Sequence, residues 1–136
     1  MNDIKKMLVK IGSAGKNQDG SYTRQCYSKE YFQAVSSVKE VMESLNMTIS
    51  EDAAGNIHGI YPGTAANSKS IILGSHLDTV PHGGLFDGAY GVAASLEVLR
   101  RIQANHIKLN HPIEIYGFNA EESNPIGGTF GSRAIT

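Results

Sequence analysis

The feature that most restricts this chain is a change of rhythm in its second half. Ser70-Ile-Ile-Leu73 is a short apolar run, Gly74–Gly88 a glycine-rich loop, Tyr90–Gln103 a stretch with helical periodicity, and Pro112–Phe118 a stretch that alternates. That order predicts strand, loop, helix, strand. Val92, Leu96, Leu99 and Ile102 fall on one helix face, with Arg100 and Arg101 near the C-terminal end, where cations suit the dipole. Ile113 and Ile115 alternate with Glu114 and Tyr116, and the Ile71–Leu73 run reads as a buried strand. A βαβ unit is normally parallel and right-handed. Both post-strand loops then open on one edge of the sheet, where α/β folds place ligand chemistry. The predicted class is α/β.

The first half supports that unit. Ile4, Met7, Leu8 and Ile11 share a face of an N-terminal amphipathic helix, and the polar, glycine-rich residues 12–28 read as a long loop. Ser28 is the expected N-cap of a second helix, with Glu30 in its first turn. Tyr31, Phe32, Val35, Val38, Val41, Met42 and Leu45 form its apolar face, and Asn46 is the expected stop. Met47–Ser50 and Ile57–Tyr61 read as two short strands around a turn at Asp52–Asn56; Pro62-Gly63 and the polar Thr64–Lys69 close them.

Bulk properties exclude several function classes. With 136 residues, one domain is the default. A net charge of −1 without long runs of one sign gives no electrostatic case for nucleic acid or an anionic membrane. No apolar run is long enough to span a bilayer. Lysines interrupt the apolar residues at the N-terminus, unlike a signal peptide. Cys26 is the single cysteine, so no internal disulfide forms, and a reducing cytoplasm is the expected compartment.

What remains is the content of the loops. The segment Gly74-Ser-His-Leu-Asp-Thr-Val-Pro-His-Gly-Gly-Leu-Phe-Asp-Gly88 carries His76, Asp78, His82 and Asp87, and the second strand runs out into Glu121-Glu122. An imidazole and several carboxylates converging without lysine would repel one another, and a divalent cation removes that conflict. Imidazole with carboxylate suits zinc, manganese, cobalt or nickel without choosing among them. His76 is the expected metal ligand. Asp78, two residues on, is placed to orient that imidazole through its other ring nitrogen. Asp87 has two oxygens with which to bridge two metals. Glu121 and Glu122 are adjacent and tend to point apart, so one can bind metal while the other handles a proton.

Singly, each residue has an ordinary reading. A loop histidine is usually capped or solvated, Asp87-Gly88 can be a plain turn, and Glu121-Glu122 can be a solvated pair. His82, His58, His106 and His111 read as structural or solvent-facing, Cys26 as a bystander thiol, and Arg24, Asn56 and Arg133 as uninformative alone. The combination at the ends of two consecutive strands is what favours a site.

His76-Leu-Asp78, Asp87 within Phe86-Asp-Gly88, and Glu121-Glu122 together resemble the dinuclear centre of the M20 peptidase superfamily. The short interval from His76 to Asp87 resembles the branch of N-carbamoyl-L-amino acid hydrolases and allantoate amidohydrolases, as do the stretches Gly20–Ser28, Glu51–Asn56 and Gly131–Ala134. The resemblance implies a partial M20-type catalytic domain, a βαβ-containing mixed sheet with flanking helices. It implies two divalent metal ions, zinc or manganese with cobalt or nickel as substitutes. His76 and Asp87 would bind one, Asp87 would bridge, and Glu122 would bind the second. It makes Glu121 the general base and Asp78 the support of His76. The implied substrate is a small molecule, an N-carbamoyl amino acid or another linear ureide, split at the ureido C–N bond with release of ammonia and carbon dioxide. A dipeptidase or other exopeptidase is the alternative within the superfamily, and a non-catalytic self-associating module the alternative outside it.

Two departures accompany the resemblance. After Glu121-Glu122 the family continues with Gly or Ser and an Arg-Phe-Gly stretch, where this chain reads Ser123-Asn-Pro-Ile-Gly-Gly-Thr-Phe130. Family members are also roughly three times as long and take further metal-binding histidines from later segments. A lid domain supplies most of the contact in a homo-oligomeric parent. The expectation is therefore that residues 1–136 are the N-terminal portion of a metal-dependent hydrolase catalytic domain, inactive alone, with Thr129–Thr136 beginning a helix.

Overall fold

A computed structural model describes residues 3–66 and 68–136; Met1, Asn2 and Asn67, which fall in the expected N-terminal helix and the closing stretch Thr64–Lys69, lie outside the described residues. Helices α1 (Asp3–Gly12), α2 (Lys29–Ser44), α3 (Ala89–Ala104) and α4 (Phe130–Arg133) accompany strands β1 (Thr48–Glu51), β2 (Ile57–Tyr61), β3 (Ile71–His76) and β4 (Ile113–Phe118). The strands form one mixed sheet in the order β1-β2-β4-β3, with β3 and β4 parallel and the other pairs antiparallel. The expected α/β class and βαβ unit are therefore present, with α3 as the crossover.

Local chemistry explains the elements. The Ser28 hydroxyl accepts the Tyr31 N–H and starts α2. Asn46, at φ +55°, takes the left-handed turn that ends it. The period-two pattern of β4 buries Ile113, Ile115 and Gly117 on one side of the sheet. Their cross-strand neighbours Ile57 and Gly59 share that side, where α2 and α3 pack and α1 covers both helices. Met42 and Met47 fill the space over Gly59. Met7, Leu8, Ile11, Tyr31, Val35, Val38, Leu96 and Leu99 complete this core, and burial of their apolar surface is the main driving force for the fold.

Two expectations are corrected. Phe32, expected on the buried face of α2, is exposed; it continues the apolar stripe beyond the arc that meets the core and touches Tyr31 edge-on. The apolar run Ile71–Leu73 is not interior. β3 is a sheet edge, and Ile71 and Ile72 remain 49% and 57% exposed. Short apolar runs report hydrophobicity but not the position of a strand in its sheet, which long-range pairing decides.

Opposite the helices, the outer face carries an aromatic row. His58 stacks on Tyr116 at 4.1 Å between ring centroids, and Tyr116 on Phe118 at 5.4 Å. His58 Nε2 lies 2.9 Å from Glu114 Oε2. Among the described residues, no helix is long and apolar enough to cross a membrane.

Candidate metal centre

Parallel pairing brings the ends of β3 and β4 side by side, with His76 opposite Phe118. The loop after β3 folds back so that Asp87 precedes α3, and the loop after β4 turns at Ala120, φ +55°, to present Glu121 and Glu122. The turn into α3 is made by Gly88 at φ +64°. A Cβ there would run into the His76 ring, so only glycine lets the helix start this close to the imidazole.

His76, Asp87 and Glu122 each offer one ligand atom, and these atoms all lie within 4.8 Å of one another. His76 Nε2 stands 3.5 Å from Asp87 Oδ1. Its Nδ1 lies 3.0 Å from the main-chain carbonyl of Asp78. A carbonyl can only accept, so Nδ1 donates to Asp78 while Nε2 faces Asp87.

Asp78 supports His76 differently from the expectation. Its carboxylate oxygen is 3.7 Å from Nδ1, too far for a hydrogen bond, and the main-chain oxygen does the orienting instead. The side chain, 1% exposed, instead accepts the main-chain N–H groups of Glu121 at 3.2 Å and Glu122 at 3.1 Å. One residue thus ties the β3 loop to the β4 loop.

The adjacent glutamates do point apart. Glu122 joins His76 and Asp87. Burial first, then a hydrogen bond and charge repulsion from Asp87, push its pKa up, while His76 opposes the shift. Glu121 lies elsewhere: Oε1 accepts the Ser132 N–H at 2.6 Å and Oε2 the Ser132 hydroxyl at 3.1 Å. It is not brought into the group of three.

The donor set fits a divalent cation. An imidazole whose Nε2 faces two carboxylates forms a mixed nitrogen–oxygen site, and a cation would offset the Asp87 repulsion that adds to burial in raising Glu122. The described residues bring together one such group. A cleft of about 220 Å³ adjoins it, lined by Gln25, Cys26, Asp78, Thr79, Glu122 and Asn124. Burial, then the Asp78 charge, raise the Cys26 thiol's pKa, which argues against an activated nucleophile. A groove of about 600 Å³ lies among α1, α2 and α3 and shares no residue with the site.

Sequence reasoning missed three supporting residues. Arg24 and Asn56 look uninformative in sequence, and Asn119 drew no attention, yet all three are fully buried. Asn56 Oδ1 accepts the Asn119 N–H at 2.9 Å, and its Nδ2 donates to Asp52 and to the Gly131 carbonyl. Asn119 Nδ2 donates to the Ala54 carbonyl at 3.1 Å. These bonds pin the Glu121-Glu122 loop against the β1–β2 turn. The only sequence signal was the Asp52–Asn56 turn, whose partners lie more than sixty residues away. His82 pairs with Asp19 at 3.0 Å on the surface and takes no part in the group.

Residues 56–136 match the family model for Peptidase family M28. The N-carbamoyl-L-amino acid amidohydrolase of Geobacillus stearothermophilus is 37% identical over 129 residues, 94% of this chain and 32% of that protein. The allantoate amidohydrolase of Bacillus subtilis is 33% identical, over 95% of this chain and 31% of that protein. The crystal structure of a hydantoinase/carbamoylase family amidase from Burkholderia ambifaria superposes with a TM-score of 0.84 at 33% identity, covering 88% of this chain and 29% of that one. The chain thus spans about a third of the length of the curated relatives it matches. Those relatives lie in the N-carbamoyl amino acid and allantoate branch that the motif spacing resembles, and the chain belongs to Peptidase family M28.

Proposed function

We propose that this chain is the N-terminal portion of the catalytic domain of a metal-dependent amidohydrolase. The reaction is hydrolysis of the ureido C–N bond of an N-carbamoyl amino acid or an allantoate-like linear ureide, with release of ammonia and carbon dioxide. The observation that carries the reading is the convergence of His76, Asp87 and Glu122 from two consecutive strand ends, in a chain more than 30% identical to enzymes named for such substrates.

His76, Asp87 and Glu122 would hold the two divalent ions, zinc or manganese, that the resemblance implies. Such ions supply Lewis-acid polarisation of a carbonyl and a lowered pKa for water. The chain's own residues do the rest. His76 presents Nε2 because Asp78 O holds the Nδ1 proton. Glu121 is the general base, taking a proton from the attacking water and passing it to the leaving nitrogen. To do so its carboxylate must release Ser132, which is adjacent in space and holds both oxygens. The exposed apolar edge at Ile71 and Ile72 supports self-association of this chain.

The test is an assay on N-carbamoyl amino acids and allantoate against dipeptides, with added zinc or manganese, in the longest natural protein that contains this sequence. Ureido hydrolysis that falls about 100-fold or more in Glu121→Ala supports the reading. Dipeptide cleavage without ureido hydrolysis replaces it with the exopeptidase alternative, and full activity in Glu121→Ala removes the assigned base.

A further inference from the structure

We propose that Arg24 is a positioning residue for the His76–Asp87–Glu122 group and acts through Asp78; the inference rests on the metal-site reading above. Arg24 lies 53 residues from its side-chain partner Leu77 and is fully buried. Its Nε donates to the Leu77 carbonyl at 3.0 Å, and Nη1 to the Ala14 carbonyl at 3.3 Å. Its main-chain N–H donates to Thr79 Oγ1 at 2.8 Å, and its carbonyl accepts the Thr79 N–H at 2.9 Å. Arg24 therefore grips the residues on both sides of Asp78.

Asp78 passes that grip to the ligands. Its carbonyl fixes the His76 tautomer and ring direction. Its carboxylate holds the main chain of Glu121 and Glu122. Two of the three grouped side chains are thus set by one residue that Arg24 holds from beneath. A displacement of Leu77–Thr79 would release both ties together.

The choice of a cation here needs a reason. Burial disfavours the charged guanidinium and pulls its pKa down, while the Asp78 charge opposes the shift. Among the described residues, Nη2 has no hydrogen-bond partner. An apolar side chain of similar volume would fill the space without that penalty. The cation is accounted for by the buried Asp78 carboxylate, and the guanidinium by the Leu77 and Ala14 carbonyls, which Nε and Nη1 reach together in a fixed geometry that a lysine ammonium does not reproduce.

The experiment compares the 136-residue chain with Arg24→Met, Arg24→Lys and, as a ligand control, Asp87→Asn. Circular dichroism checks folding. Nitrogen NMR of the metal-free proteins at about pH 8, where an ordinary imidazole is neutral, reads the His76 tautomer and the Glu121 and Glu122 amide shifts. Zinc titration then gives affinity. Folded Arg24→Met is expected to show mixed His76 tautomers, displaced Glu121 and Glu122 amides, and zinc binding about 10- to 100-fold weaker. Arg24→Lys should fall between it and the parent. Asp87→Asn should lose zinc with the tautomer and amides unchanged. If folded Arg24→Met keeps the parent's tautomer, amide shifts and zinc affinity, the inference is overturned. If Arg24→Met does not fold, Arg24→Lys decides by the same signals, and parental signals overturn the inference. If the 136-residue chain binds no zinc, the tautomer and amide signals alone decide the role of Arg24, and zinc binding by the longest natural protein that contains this sequence decides the metal-site reading.

Discussion

The sheet ends in two unlike edges. β1 is four residues long, reads Thr-Ile-Ser-Glu, and carries Glu51, which pairs with Lys39 of α2. β3 is six residues long, carries no charged side chain before His76, and leaves Ile71 and Ile72 about half exposed. Short, charged edges resist pairing with another chain, whereas long apolar edges invite it. The same strand that offers this open edge also ends in the metal-ligand candidate His76. The site end of β3 is held by bonds to three other segments, while its middle is held on one side only. Hydrogen bonds from β3 and its following loop to Phe118, Arg24, Glu121 and Glu122 cluster at that end.

Substitutions can sharpen or break that contrast. The largest effect is expected in the strand between the edges. Ile115→Ala, in a fully buried site, should cost about 2–5 kcal/mol in urea unfolding. Ile72→Ala should cost less than about 1 kcal/mol, because little of its surface is removed from water on that edge. Equal losses would mean that β3 is covered in solution.

A second effect lies on α3, which covers the inner side of β3. Glu97 is buried and accepts from Arg100 Nε at 2.6 Å and Arg101 Nε at 2.8 Å. The Arg100 hydrogen bond, joined by that of Arg101 against a burial penalty, holds its carboxyl down to about 2. A depressed carboxylate contributes stability above its unfolded pKa and loses it as pH falls toward the folded value. Glu97→Gln should therefore lower stability by about 1–2 kcal/mol near neutrality. The gap from the parent should start to narrow below pH 4.5 and close near pH 2 when unfolding is followed across that range.

The smallest effect on stability is expected from Ile72→Lys, within about 0.5 kcal/mol of the parent. Its consequence appears in sedimentation velocity, where it should abolish concentration-dependent self-association. Thr48→Lys on the guarded edge should leave self-association as it was. A parent that stays strictly monomeric at high concentration would remove the contrast between the edges.

The parts of this molecule legible in its sequence are those set by neighbours along the chain. The Ser28 cap, the α3 stripe and the alternation of β4 depend on residues within a few positions of one another, and the structure contains them. The convergence of His76, Asp87 and the Glu121-Glu122 pair was legible because these residues sit at or beyond a strand end or just before a helix, and a parallel βαβ unit brings such positions together; the family resemblance singled out Glu122. The exposure of β3 was not legible, because an apolar run looks the same at an edge as in the middle of a sheet. The direction of Glu121 depends on Ser132, and the burial of Arg24 on Leu77 and Thr79, contacts that exist only after folding. Asp78 shows the limit most clearly: its spacing from His76 suggested a side-chain contact, and the main chain makes it instead.

The most direct measurement is a calorimetric titration with zinc and with manganese of the longest natural protein that contains this sequence, beside its His76→Ala variant. The account predicts saturable binding to the parent and its loss in His76→Ala, since that change removes the single nitrogen donor of the group. Equal binding by both proteins, or no binding by either, would contradict a metal centre built on His76, Asp87 and Glu122.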